Sequence, residues 1–107
     1  MKKPKDAPAP HIDAVQVGDQ SFVISQRPVA DIDAEVQAMS GCSLQEIGNM
    51  LSTTPVPQLA GMAIKAMCDT PEDLTVLEIA VAIATTDNPM IYADIVAAIN
   101  QIAEPEQ

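Results

Sequence analysis

Apolar residues alternate near the start of the chain and then, from about residue 30, return every three or four positions. Val15 and Val17 fall on one side, the turn dipeptide Gly18-Asp19 interrupts, and Phe22 and Ile24 resume the alternation. That pattern predicts a β-hairpin over 12–17 and 21–25, the only strand-like stretch, ended by Arg27-Pro28. A lone hairpin is marginal in water, so this one must pack on helices or pair with another chain's edge.

The helical period then takes over. Ile32, Val36 and Met39 predict a first helix over 31–40, closed by Gly41 as a left-handed cap. Ser43 and Glu46 form a capping box ahead of the stripe Leu44, Ile47 and Leu51, a helix over 43–52. Thr54-Pro55 predicts the next start, with Thr as cap and Pro where no amide donor is needed; Pro57 still falls in that first turn. Leu59, Ala63 and Met67 carry this helix over 55–68. A second box, Thr75 with Glu78, opens a helix over 75–86 containing Ile79, Val81 and Ile83. Asn88-Pro89 opens the last, over 89–102, with Ile91, Ile95, Ile99 and Ile102 on one face.

Ser43 maps onto Thr75 and Pro55 onto Pro89, at offsets of 32 and 34 residues. Internal duplication or repeated use of common caps would each produce this, and two units are too few for a solenoid. The expected fold is mainly α: a small N-terminal β-hairpin followed by about five short helices packed as two αα-hairpins in one bundle. One domain over 11–103 lies between a tail, 1–10, with three lysines and three prolines, and an end, 104–107; both are expected to be disordered.

Composition supports helices. Phe22 and Tyr92 are the only aromatics, so the core must come from Ile, Leu, Val, Met and Ala. Charge narrows the partners. Beyond residue 5 only Arg27 and Lys65 stand against all 15 acids, and such a surface repels phosphate, which argues against nucleic acid and anionic membranes. The acidity also serves simple solubility. Cys42 and Cys68, 26 residues apart and without a CxxC, read as reduced thiols. No apolar signal core follows the N-terminal lysines, and the run Ile79 to Ala84 is too short to span a bilayer, so a cytoplasmic protein is expected.

Candidate chemistry is sparse. His11 is the only histidine and sits at the edge of the tail, so no catalytic triad can be built around it. Cys42 lies beside a helix N-terminus, but a small residue bridging Gly41 and Ser43 accounts for it. Asp31, Asp33 and Glu35 alternate like calcium ligands; Val36 stands where such a loop needs glycine and Cys42 where it needs glutamate. They suit an acidic first turn instead, as do Glu72 and Asp73 after Asp69. The four glycines form no phosphate-binding loop. Ser43-Leu44 at a helix start suggests an acyl carrier protein, but Cys42 replaces the aspartate and a hairpin takes the place of the long first helix. The expectation is a non-enzyme without cofactor or metal. Of the methionines in the folded part, Met62 lies off the Leu59–Ala63–Met67 stripe, and Gly61 beside it would admit another backbone.

The order of segments then matters. "DQSFVI" leads through Glu35 to "GCSLQEI", a Pro-started helix ends "AIKAM", and "LTVLEIAVAI" precedes a last helix with Tyr92, Val96 and Ile99. This order resembles the tail assembly chaperones of long-tailed bacteriophages and gene-transfer agents, over 12–102. The resemblance rests on apolar positions and short G-x-S-L-like and L-T-x-x-E segments; "TPVPQ" and the lysine-rich leader depart from it. It implies a chaperone that coats the tape-measure protein, recruits tail-tube subunits and is absent from the mature virion. Partner contacts are then expected at Met62 and Met67, and at Phe22 and Ile24 on the hairpin edge, which would also serve self-association. The alternative is a small acidic adaptor or inhibitor that binds its target through carboxylates.

Overall fold

The alternating segment forms two antiparallel strands in the computed structural model, which describes residues 12–103. The segments 1–10 and 104–107, and His11, lie outside the described residues. β1 (Ala14–Val17) and β2 (Gln20–Ile24) pair Val15 with Phe22 and Val17 with Gln20, leaving Gly18-Asp19 as a two-residue link. Gly18 sits at φ 60°, which glycine adopts without a Cβ penalty. Val15, Val17, Phe22 and Ile24 are all buried, so one face of the ribbon lies on the helices.

The hairpin finds its third strand within the chain. β3 (Cys68–Asp69) pairs antiparallel with β2, Ile24 opposite Cys68 and Val23 opposite Asp69, giving the order β1-β2-β3. The Ser25 amide then donates to the Met67 carbonyl at 2.8 Å. Residues 12–25 are thus not the only strand-forming stretch, because two residues show no alternation to read.

Five helices follow: α1 (Val29–Ser40), α2 (Leu44–Thr53), α3 (Pro57–Met67), α4 (Val76–Thr85) and α5 (Ile91–Ala103). Gly41 closes α1 at φ 79°, and both capping boxes form, Ser43 with Glu46 and Thr75 with Glu78. Asp33 adds a tertiary cap, since its carboxylate accepts the Leu44 amide at 2.8 Å. The start of α3 differs from the expected residue 55. A residue before proline is driven from the helical region, and Val56, before Pro57, is extended at φ −126° and ψ 101°. Pro57 therefore takes the first helical position, and Thr54 ends α2 instead of capping α3. α5 also starts two residues late. The Asn88 side chain accepts the Met90 amide at 2.9 Å, and Pro89-Met90 forms a turn ahead of the helix.

The two helical units pack mainly across each other: α3 lies along α4, and α2 along α5, while α4 and α5 scarcely touch. Glycines set both approaches. At Gly61 a Cβ would stand 3.0 Å from the Val76 carbonyl oxygen and 3.3 Å from the Ala80 nitrogen. At Gly48 it would meet the Ile99 side chain at 3.0 Å. α1 covers the other side of α3, and β1 rests on α5. There the Gln101 side chain accepts the Ile12 amide at 2.8 Å and donates to the Ile12 carbonyl at 2.9 Å, joining the start of the sheet to the end of the last helix.

The second box has a pH signature. The Thr75 backbone amide, and then its hydroxyl, hold the Glu78 carboxyl below the ordinary glutamate value. Its contribution to stability is therefore present above the ordinary glutamate range and lost as pH falls through the lowered folded value. Of the two donors Thr75→Ala removes the hydroxyl and keeps the backbone amide, so an NMR titration should show the Glu78 pKa rising part-way towards normal.

Candidate functional site

α4 reads VLEIAVAIAT, apolar almost all round, which is the composition of a helix buried on every side. Among the described residues only one side of it is covered. Ile79, Ala80 and Ile83 face the core, while Leu77 is 63% and Val81 53% exposed. Those two stand at i and i+4, so they are neighbours on the outer face, and Ala84 and Thr85 continue it one turn on. Elsewhere Val23, Val29 and Met90 are exposed singly, as is normal for a folded surface.

The residues expected to meet a partner lie elsewhere. Phe22 is 4%, Ile24 7% and Met67 0% exposed, so their side chains belong to the core. Period-2 alternation turns Phe22 and Ile24 to the helices, and β3 occupies the β2 edge beside Ile24, so neither offers the free hairpin surface that was expected. Met67 is the last residue of α3 and points inward with Ala63 and Ile64. Met62 is half-buried. The backbone that approaches Gly61 is α4 of the same chain. The sequence signal for the exposed face is the apolar run of α4, which holds more apolar residues than one covered side requires, but periodicity does not tell which side stays open.

Arg27 and Lys65 are both occupied with the fold. The Arg27 guanidinium donates to the Ala66 carbonyl and to the Ser25 hydroxyl, and pairs with Glu35 at 2.7 Å. Its bond to Ala66 satisfies one of the carbonyls left open at the end of α3. The Lys65 ammonium donates to the Leu74 carbonyl at 2.7 Å and the Pro71 carbonyl at 3.1 Å, fixing the entry to α4. Between them lies an open concavity of about 410 Å³, with Cys68, Asp69 and Glu72 on its walls. Burial, then the Asp69 charge, pushes the Cys68 thiol up to about 12, so it stays protonated at neutral pH and is no nucleophile. Iodoacetamide at pH 8 should therefore leave Cys68 unmodified in the folded protein and label it in urea, as peptide mass spectrometry would show.

A second concavity, about 370 Å³, opens where the end of α4 meets the hairpin turn. Gln16, Asp19, Thr85, Asp87 and Asn88 line it. The Ser43 hydroxyl is engaged in its capping box, accepting the Glu46 amide at 3.1 Å. Among the described residues no three metal-binding side chains converge, and no helix is long and apolar enough to cross a membrane. The arrangement offers contact surface: an apolar helix face with Glu78 in its first turn and Asp19 and Asp87 in the concavity at its end. Comparison with family models, curated proteins and solved structures finds no match to this chain.

Proposed function

We propose that this protein acts by binding another protein, and that it is a tail assembly chaperone which holds an amphipathic helix of the tape-measure protein on the outer face of α4. The observation that carries the proposal is the exposed pair Leu77 and Val81 on an otherwise strongly acidic surface. A helix laid on α4 would bury that pair with its own i, i+3, i+4 and i+7 anchors. The order of segments that resembles the chaperone family selects the tape-measure protein as partner, with tail-tube subunits as second guests. In that role the chain works in the host cytoplasm and is not retained in the mature virion.

Co-expression with the tape-measure protein encoded in the same genome tests this. The wild type should keep that protein soluble and co-purify with it at high salt. Leu77→Gln with Val81→Gln should abolish rescue while melting like the wild type, since exposed positions shift stability by only about 0.5 kcal/mol. A complex that forms through carboxylates alone would dissolve steeply with salt and favour the acidic-inhibitor alternative. No rescue by the wild type would remove the chaperone assignment.

A further inference from the structure

The ends of the open face of α4 carry a chemical instruction about its occupant. Leu77, Val81 and Thr85 follow one another at i, i+4 and i+8, so the apolar row runs directly into the concavity that Thr85 shares with Asp19 and Asp87. Two carboxylates there come from distant parts of the chain, one from the hairpin turn and one from the segment after α4. The C-terminus of α4 adds its own partial negative charge, and its last turn contains no basic residue to offset it. At the other end Glu72 and Asp73 precede the helix and Glu78 lies in its first turn, while the two cations beside Glu72 among the described residues are engaged, Lys65 with two backbone carbonyls and Arg27 with Glu35 and the Ala66 carbonyl. An apolar row with negative charge at both ends suits a ligand of the opposite pattern.

We infer that the outer face of α4 selects a basic amphipathic helix, with apolar anchors on Leu77 and Val81 and a Lys or Arg seated between Asp19 and Asp87. The inference rests on the helix-binding function proposed above and specifies the ligand's charge. α4 spans about 15 Å, so two to three turns of ligand cover the row and one further turn reaches the concavity. An acidic or neutral helix would leave the carboxylates facing like charge or apolar surface. The same fields also speed encounter, since opposite charge steers a basic segment to this end of the molecule.

Three synthetic peptides of about five turns make the test, with binding followed by fluorescence anisotropy at low and physiological salt. The first places Leu at i, i+3, i+4 and i+7 with Lys elsewhere, the second replaces each Lys by Glu, and the third scrambles the first. The Lys peptide should bind and the other two should bind at least tenfold more weakly, the value expected from losing two buried apolar contacts or reversing the charge. Leu77→Gln with Val81→Gln should cost about tenfold, and Asp19→Asn with Asp87→Asn about threefold at low salt. Asparagine keeps the turn chemistry at position 19, so thermal melts should match the wild type. Equal binding of the Glu peptide overturns the charge requirement and leaves helix docking standing. Equal binding of the scrambled peptide shows diffuse electrostatics and overturns the site. An unchanged Asp19→Asn, Asp87→Asn variant overturns the seat at the end of α4. If no peptide binds but the tape-measure protein is still solubilised, this inference fails alone; if neither occurs, the proposed function fails with it.

Discussion

Gly61→Val should lower stability by about 3 kcal/mol and the melting temperature by about 15 °C, one of the two largest single-residue losses expected here. The cost arises because the new Cβ would stand 3.0 Å from the Val76 carbonyl oxygen and 3.3 Å from the Ala80 nitrogen, both backbone atoms of the first half of α4. Side chains can rotate away from such contact, but a helix backbone moves only as a unit. α4 must therefore shift off α3, loosening the burial of Ile79 and Ile83. Gly48→Ala provides the contrast. Its Cβ would meet the Cγ2 methyl of buried Ile99 at 3.0 Å, so Ile99 and α2 must give by a few tenths of an ångström, and the gain in helix propensity, about 1 kcal/mol, offsets part of that cost. Denaturant melts of the two variants should therefore differ clearly. Gly61→Ala, which adds the Cβ alone, should also lose more than Gly48→Ala; equal losses for these two would mean that backbone approach does not set the cost at Gly61.

Ile95→Ala should cost about 3 to 4 kcal/mol. Ile95 is fully buried in α5, which packs along α2, so truncation removes its burial and leaves a cavity that surrounding helices can only partly close. Leu77→Ala, at a residue of equal or greater hydrophobicity but 63% exposed, should change stability by no more than about 0.5 kcal/mol. This difference matters for function. It separates residues that hold the fold from residues available to a partner, and it makes the α4 face open to mutation without collapse of the domain.

Much of the architecture was legible because local chemistry and tertiary structure agree. Both capping boxes satisfy the open amides at a helix start, and Gly41 takes the backbone angles that only glycine adopts cheaply. The i, i+4 spacing of Ile91, Ile95 and Ile99 gave the buried face of α5. Local chemistry misled where two signals competed. Pro55 and Pro57 both suit a first helical turn, but the restriction each imposes on the residue before it leaves only the second at the helix start. Other features depend on residues remote in sequence. The Gln101 clamp on Ile12, the Asp33 cap on α2 and the pairing of β3 with β2 have no local signature.

The candidate site was the least legible part. Phe22 and Ile24, on the hairpin edge, and Met67, among the methionines suited to a partner surface, are all consumed by the core, as large apolar groups in a domain of this size mostly are. The informative residues were Leu77 and Val81, in a helix with more apolar surface than the fold covers. Gly61 did mark a close approach, but by α4 within the chain.

The central claim is that the partner binds the outer face of α4 and leaves the core closed. Methyl NMR of the protein titrated with the Lys-bearing amphipathic peptide described above tests it most directly. The methyl signals of Leu77 and Val81 should shift strongly and those of Ile24 and Met67 should stay in place. Shifts centred on Ile24 and Met67, with Leu77 and Val81 unmoved, would mean that binding opens the core and would contradict the account.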